Sequence, residues 1–174
     1  MDIKFPIISI LLRVAPIVVL VGVIVAAVFI VRWFVKESGK GGRTAKRWRA
    51  VIVLCVLVSG VAWILNMGWF RVFLTWVPLP LAHVGFFVWL NFKAAANVSQ
   101  FGSLKKYIIL SCVTYLLPYL TFPDGGDVGG MYFFFGLIRN DIAADIMMYI
   151  TFAVLILSIV VLILEYIELK KSKA

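Results

Sequence analysis

The chain has little with which to do acid–base, nucleophilic or metal chemistry. It holds one histidine, His83, among 174 residues. No GxSxG elbow and no HExxH helix stands anywhere in it, which leaves neither a serine-hydrolase nor a zinc-peptidase constellation. Cys55 and Cys112 are its 2 cysteines, both inside apolar runs and neither in a CxxC or Cys/His spacing. A disulfide framework and a zinc site therefore have no basis. Acids are scarce, 8 against 17 lysines and arginines. Asp124 and Asp127 stand together among glycines but lack the EF-hand pattern, so a turn is expected there rather than calcium. No catalytic activity, metal or cofactor is expected. The formal charge of +9 brings no groove-reading motif with it, and no nucleic-acid partner is expected either.

What the chain has in abundance is apolar sequence. Hydrophobic residues make up 64% of it, and the mean hydropathy is +1.08. A soluble domain of this size could not hide so much apolar surface. The runs are continuous rather than alternating, which excludes a membrane β-barrel. Several approach the ~20 residues that cross a hydrocarbon core of roughly 30 Å. The expected fold is an all-α integral membrane protein, a single domain over residues 1–174. Five transmembrane helices are expected near 14–35, 50–69, 72–92, 107–122 and 146–164. Pro78 and Pro80 interrupt the third, where a missing backbone donor and a steric clash predict a kink or break. The fourth is short, reaching only about 24 Å at about 1.5 Å per residue.

The loops carry the charge. The stretch 36–49 holds six basic residues, Lys36, Lys40, Arg43, Lys46, Arg47 and Arg49, and reads as a cytoplasmic turn facing anionic lipid headgroups. With five spans, 12 basic residues fall on the side of loops 36–49 and 93–106 and the C-terminus, against 4 on the other side (Lys4, Arg13, Arg71, Arg139). The excess of Lys and Arg on the cytoplasmic side then predicts an outside N-terminus and a cytoplasmic C-terminus. Localisation as a multi-pass protein of a bacterial inner membrane follows as the expectation.

Two groups of residues are candidates for function. The first is the outer loop 123–145, acidic and glycine-rich, with Asp124, Asp127 and the aromatic run Tyr132, Phe133, Phe134 and Phe135. Residues 131–138 are too few to span, and are expected to dip into the interface or pack over helix ends. The second group is intramembrane: His83 beside the proline break, and Ser111, Thr114 and Tyr115 on the polar flank of the fourth span. A histidine at mid-membrane faces the bundle interior or a wet cavity. Either it sits neutral and hydrogen-bonded, or it handles a proton or substrate. No Asp or Glu is expected deep in a span, since Glu165 and Glu168 follow the last one. Cys55 and Cys112 should lie at matching depths in the second and fourth spans.

Two functions fit. One is a non-enzymatic protein that binds a partner in or at the outer face of the membrane through the outer loop, as an immunity-type or accessory subunit would. The other is a small transporter or channel with its site at the broken third helix around His83.

Overall fold

The computed structural model describes Arg32 and residues 42–99, 101–125 and 130–171. The expected first span at 14–35, Arg32 apart, residues 36–41 of the basic stretch and Asp127 lie outside the described residues. The rest forms five helices and one small hairpin: α1 (Arg43–Leu65), α2 (Trp69–Thr75), α3 (Pro78–Asn97), α4 (Gly102–Thr121), strands β1 (Tyr132–Phe133) and β2 (Ile138–Arg139), and α5 (Asp141–Lys171). Three of them, α1, α3 and α5, are long and apolar enough to cross a membrane.

The helix limits follow from local chemistry. α1 starts inside the basic stretch, with Gly42 as its N-cap. Arg, Lys and Ala are good helix formers, and nothing between residues 43 and 49 stops the helix from running out of the apolar segment. It ends at Asn66, before Gly68. The third expected span is two helices. α2 stops at Thr75, and Pro78 opens α3 as its first residue. Proline there does not kink a helix. Its missing N–H belongs to a first turn that would have left that donor unpaired. α5 is capped by Asn140, whose Oδ1 accepts the Ala143 N–H at 3.0 Å.

α4 lies at the centre, packed against α1, α3 and α5. It carries Lys105, Lys106 and several hydroxyl groups, and its neighbours cover the polar flank: Ser111, Thr114, Tyr115 and Thr121 are all buried. The buried face of α1 is a helical stripe of mostly small or polar residues: Ala45, Arg49, Ile52, Cys55, Ser59 and Ala62. α5 buries Ala144, Thr151, Ser158 and Glu165, one every seven residues, the repeat of close left-handed helix packing. Large aliphatic residues point outward instead, among them Leu54, Leu57, Ile64, Ile156 and Ile163. Small and polar groups inside with large apolar ones outside is the arrangement of helices that associate in lipid.

Candidate functional site

One end of the bundle is tied by a buried arginine and a buried aspartate. Arg71, on α2, has no exposed surface. Its guanidinium donates to the carbonyls of Ala62 (2.8 Å), Tyr119 (3.1 Å) and Phe122 (2.8 Å), which joins α2 to the last turns of α1 and α4. Trp63 and Phe122 lay ring faces on it, at 5.2 and 5.8 Å from the centroids. Burial pulls this guanidinium down to about 10, and Asp124 and Tyr132 act to raise it, so it remains charged at neutral pH. Asp124 is 1% exposed. Its carboxylate accepts from the backbone N–H groups of Gly68 (3.0 Å), Phe70 (3.1 Å), Arg71 (2.8 Å) and Gly125 (2.8 Å). It thus caps α2 from a loop more than fifty residues away, and its Oδ2 stands 4.0 Å from Arg71 Nε. Gly68 is where these chains meet. A Cβ there would run into Asp124 Oδ1 and Gly125 O, so only glycine fits the close approach.

The hairpin is fastened to the same place. Asp124 and Tyr132 exchange backbone hydrogen bonds (3.0 and 2.8 Å). The Tyr132 hydroxyl donates to Met67 O (2.8 Å), the Phe134 N–H to Leu120 O (2.9 Å), and the Gly136 N–H to Asn66 Oδ1 (2.6 Å). The loop between the strands turns through three successive left-handed residues, Phe134 (φ 54°), Phe135 (φ 62°) and Gly136 (φ 74°). Two phenylalanines in that region are costly and persist only where surrounding bonds over-determine them. Phe133 points inward and is buried, while Phe134, Leu137 and Ile138 are exposed, Leu137 at 76%.

The sequence reading put Asp124 and Phe133 at a partner surface. The structure removes both from it, Asp124 as an internal cap and Phe133 as a core residue. Tyr132 and Phe135 are half-buried. Phe134 remains outward, joined by Leu137 and Ile138, which the aromatic run had overshadowed.

Inside the bundle the seven-residue stripe of α5 makes a ladder of polar contacts. Thr151 Oγ1 lies 2.8 Å from Thr121 Oγ1 on α4. One step along, Ser158 Oγ lies 3.0 Å from His83 Nε2, and His83 Nδ1 lies 3.2 Å from the Tyr119 hydroxyl. That hydroxyl gives its proton to Pro80 O at 3.4 Å. The network therefore fits a neutral ring that donates from Nδ1 to Tyr119 and accepts at Nε2 from Ser158. The ring stacks on Tyr119 and stands 5.4 Å from Tyr115. Tyr115 in turn bonds Ser59 on α1 at 2.8 Å. Of the intramembrane candidates, His83 and Tyr115 are thus brought together. Ser111 turns away to Asn91 Oδ1 (2.8 Å) on α3, and Thr114 bonds back to Leu110 O (2.9 Å) of its own helix. Cys55 on α1 and Cys112 on α4 are both buried and lie close enough to influence each other.

Sequence reasoning missed Arg71, Tyr119, Ser158 and Glu165. Glu165 was placed beyond the last span, yet α5 runs unbroken past it and buries it completely. The heptad Ala144, Thr151, Ser158, Glu165 was the available signal. Two clefts flank the start of α3. One, of about 380 Å³, is bordered by Ser59, Trp63, Leu74 and Pro80. The other, of about 480 Å³, is bordered by His83, Phe86, Tyr119, Phe152 and Leu155. Their walls are almost wholly apolar, which suits a hydrocarbon chain or ring better than a hydrated ion.

No family model, curated protein or solved structure matches this chain.

Proposed function

We propose that the chain is a non-enzymatic, multi-pass protein of a bacterial inner membrane that binds a protein partner at the outer face through the tip of the 132–139 hairpin. In this reading five spans thread the chain with its N-terminus outside and its C-terminus in the cytoplasm. The basic stretch 36–49 meets anionic headgroups through its exposed residues such as Arg43, Lys46 and Arg47, while Arg49 turns inward on the buried face of α1, and α2 with the hairpin forms the outer end. The observation that carries the reading is the hairpin itself. It presents Phe134, Leu137 and Ile138 outward on a turn of three left-handed residues. The buried Arg71 and Asp124 tie its base to three helices. A preorganised apolar tip avoids the ordering cost of binding, and aromatic and aliphatic anchors supply most interface energy. An immunity-type or accessory role fits such a device.

A photo-reactive residue at position 137, in native membranes, tests this. It should give one discrete protein adduct that disappears when Phe134→Ala and Ile138→Ala are combined. The same probe at 156, on the outward face of α5, should give lipid adducts. Lipid adducts alone at 137 would contradict the reading.

A second reading, a small transporter with its site beside His83, is favoured by one observation: the histidine ring borders the 480 Å³ cleft at the α2–α3 break. The apolar walls favour a hydrophobic substrate. His83→Ala should then abolish transport, whereas in the partner-binding reading it should cost only stability.

A further inference from the structure

The third rung of the α5 ladder differs from the other two. Thr151 and Ser158 each find a hydroxyl or imidazole partner, but Glu165 does not. Its residue has no exposed surface, and neither carboxyl oxygen has a hydrogen-bond partner among the described residues. Its neighbour is Ser111, and the Ser111 proton is committed elsewhere, to Asn91 Oδ1 at 2.8 Å with Ile108 O at 3.1 Å. The Asn91 amide nitrogen donates to Phe87 O at 3.0 Å, so it too points away. A carboxylate out of water with neither oxygen hydrogen-bonded is untenable as it stands. A small cation held by it, with the Ser111 oxygen as a second ligand, reverses the balance. One carboxylate supplies one negative charge, and no cluster of three His, Cys, Asp or Glu exists among the described residues to hold a divalent ion. Oxygen ligands with a single charge match a proton or an alkali ion.

We propose that Glu165 and Ser111 form a monovalent-cation site between α5 and α4, occupied by a proton or a sodium ion. The titratable groups facing it are Cys112 on α4 and, through Cys112, Cys55 on α1. On α3 the neutral Asn91 is linked to it through Ser111. The charged group of α1 at this end is Arg49, which lies 5.8 Å over the Phe92 ring on α3. The site does not depend on the hairpin or its partner. It adds to the bundle a carboxyl group whose occupancy responds to pH or sodium.

Dicyclohexylcarbodiimide tests it on the full chain in membranes. This apolar reagent adds to a protonated carboxyl group: the acid proton moves to a carbodiimide nitrogen, the carboxyl oxygen bonds the central carbon, and rearrangement leaves a stable N-acylurea. Peptide mass mapping locates the adduct. Labelling at Glu165 that slows several-fold with added sodium at fixed pH identifies sodium as the occupant. Labelling that ignores sodium but falls as pH rises identifies the proton. Glu165→Gln, a neutral isostere, should fold with unchanged melting and lose the adduct. Ser111→Ala should shift the sodium or pH midpoint several-fold, because it removes one ligand. No adduct at any pH, or labelling indifferent to both pH and sodium, overturns the proposal. An unmoved midpoint in Ser111→Ala overturns the ligand set.

Discussion

Asp124→Ala should be among the most damaging single substitutions in the described chain. The carboxylate holds four backbone N–H groups, and those of Gly68 and Arg71 are fully buried. Each buried donor left unpaired costs about 1–3 kcal/mol. Removing one member of a buried charged pair costs about 3–5 kcal/mol, because the other charge stays behind without compensation. The two figures describe overlapping losses and are not summed, so the expected destabilisation is about 3–5 kcal/mol. Equilibrium unfolding in mixed micelles, followed by tryptophan fluorescence, measures it, since Trp63 lies against Arg71. Asp124→Asn separates cap from charge. It keeps one acceptor oxygen but turns an N–H₂ toward the backbone donors, so it should recover less than half of the loss. Arg71→Met removes the guanidinium that joins Ala62, Tyr119 and Phe122. Combined with Asp124→Ala it should cost less than the sum of the singles by at least about 1 kcal/mol, the signature of residues in one network. A loss under about 1 kcal/mol in Asp124→Ala, or strict additivity in the double variant, would refute the view that this pair ties the bundle end.

Three further outcomes follow from the same geometry. Gly68→Ala should destabilise by about 1–3 kcal/mol, the usual cost of forcing extra volume into a packed site, and Asp124→Ala should relieve part of it in a micelle unfolding cycle. His83→Ala and Tyr115→Phe remove interhelical hydrogen bonds and should cost up to about 2 kcal/mol each, with Tyr115→Phe at the lower end, measured by the same unfolding assay. Mild oxidation of membranes should link Cys55 to Cys112 within one chain, seen as a shift in non-reducing electrophoresis that Cys55→Ser abolishes, because the two buried thiols lie close enough to influence each other across packed helices.

The helices were legible because apolar length is written locally. Four of the five expected spans overlap described helices, and the proline pair marked the real discontinuity between α2 and α3. Of the kink or break expected there, the chain takes the break: one helix ends and another opens with Pro78 in its first turn. Cys55 and Cys112 influence each other between α1 and α4, as the matching depths drawn from their equal offsets allow. The polar interior was less legible, since each contact joins residues far apart in the chain. Arg71 read as an ordinary loop charge because nothing near it in sequence reveals the three carbonyls it reaches. Asp124 read as part of a surface turn for the same reason. Glu165 was hidden by a boundary: its charge suggested the end of a span, but α5 continues for six further residues with Glu165 on its buried stripe. The aromatic run 132–135 drew attention to the right segment. Only the fold shows that Phe133 turns in and that Leu137 and Ile138 join Phe134 at the tip.

In the proposed threading the hairpin stands at the outer face of the membrane, opposite the turn between α3 and α4. Single cysteines placed in a Cys55→Ser, Cys112→Ser background at Leu137 and Ser99, both exposed, measure this directly. With an impermeant thiol reagent on intact cells, the cysteine at 137 should label and the one at 99 should label only after the membrane is opened. Labelling at 99 in intact cells, with 137 protected until permeabilisation, would contradict the threading and the partner-binding face with it.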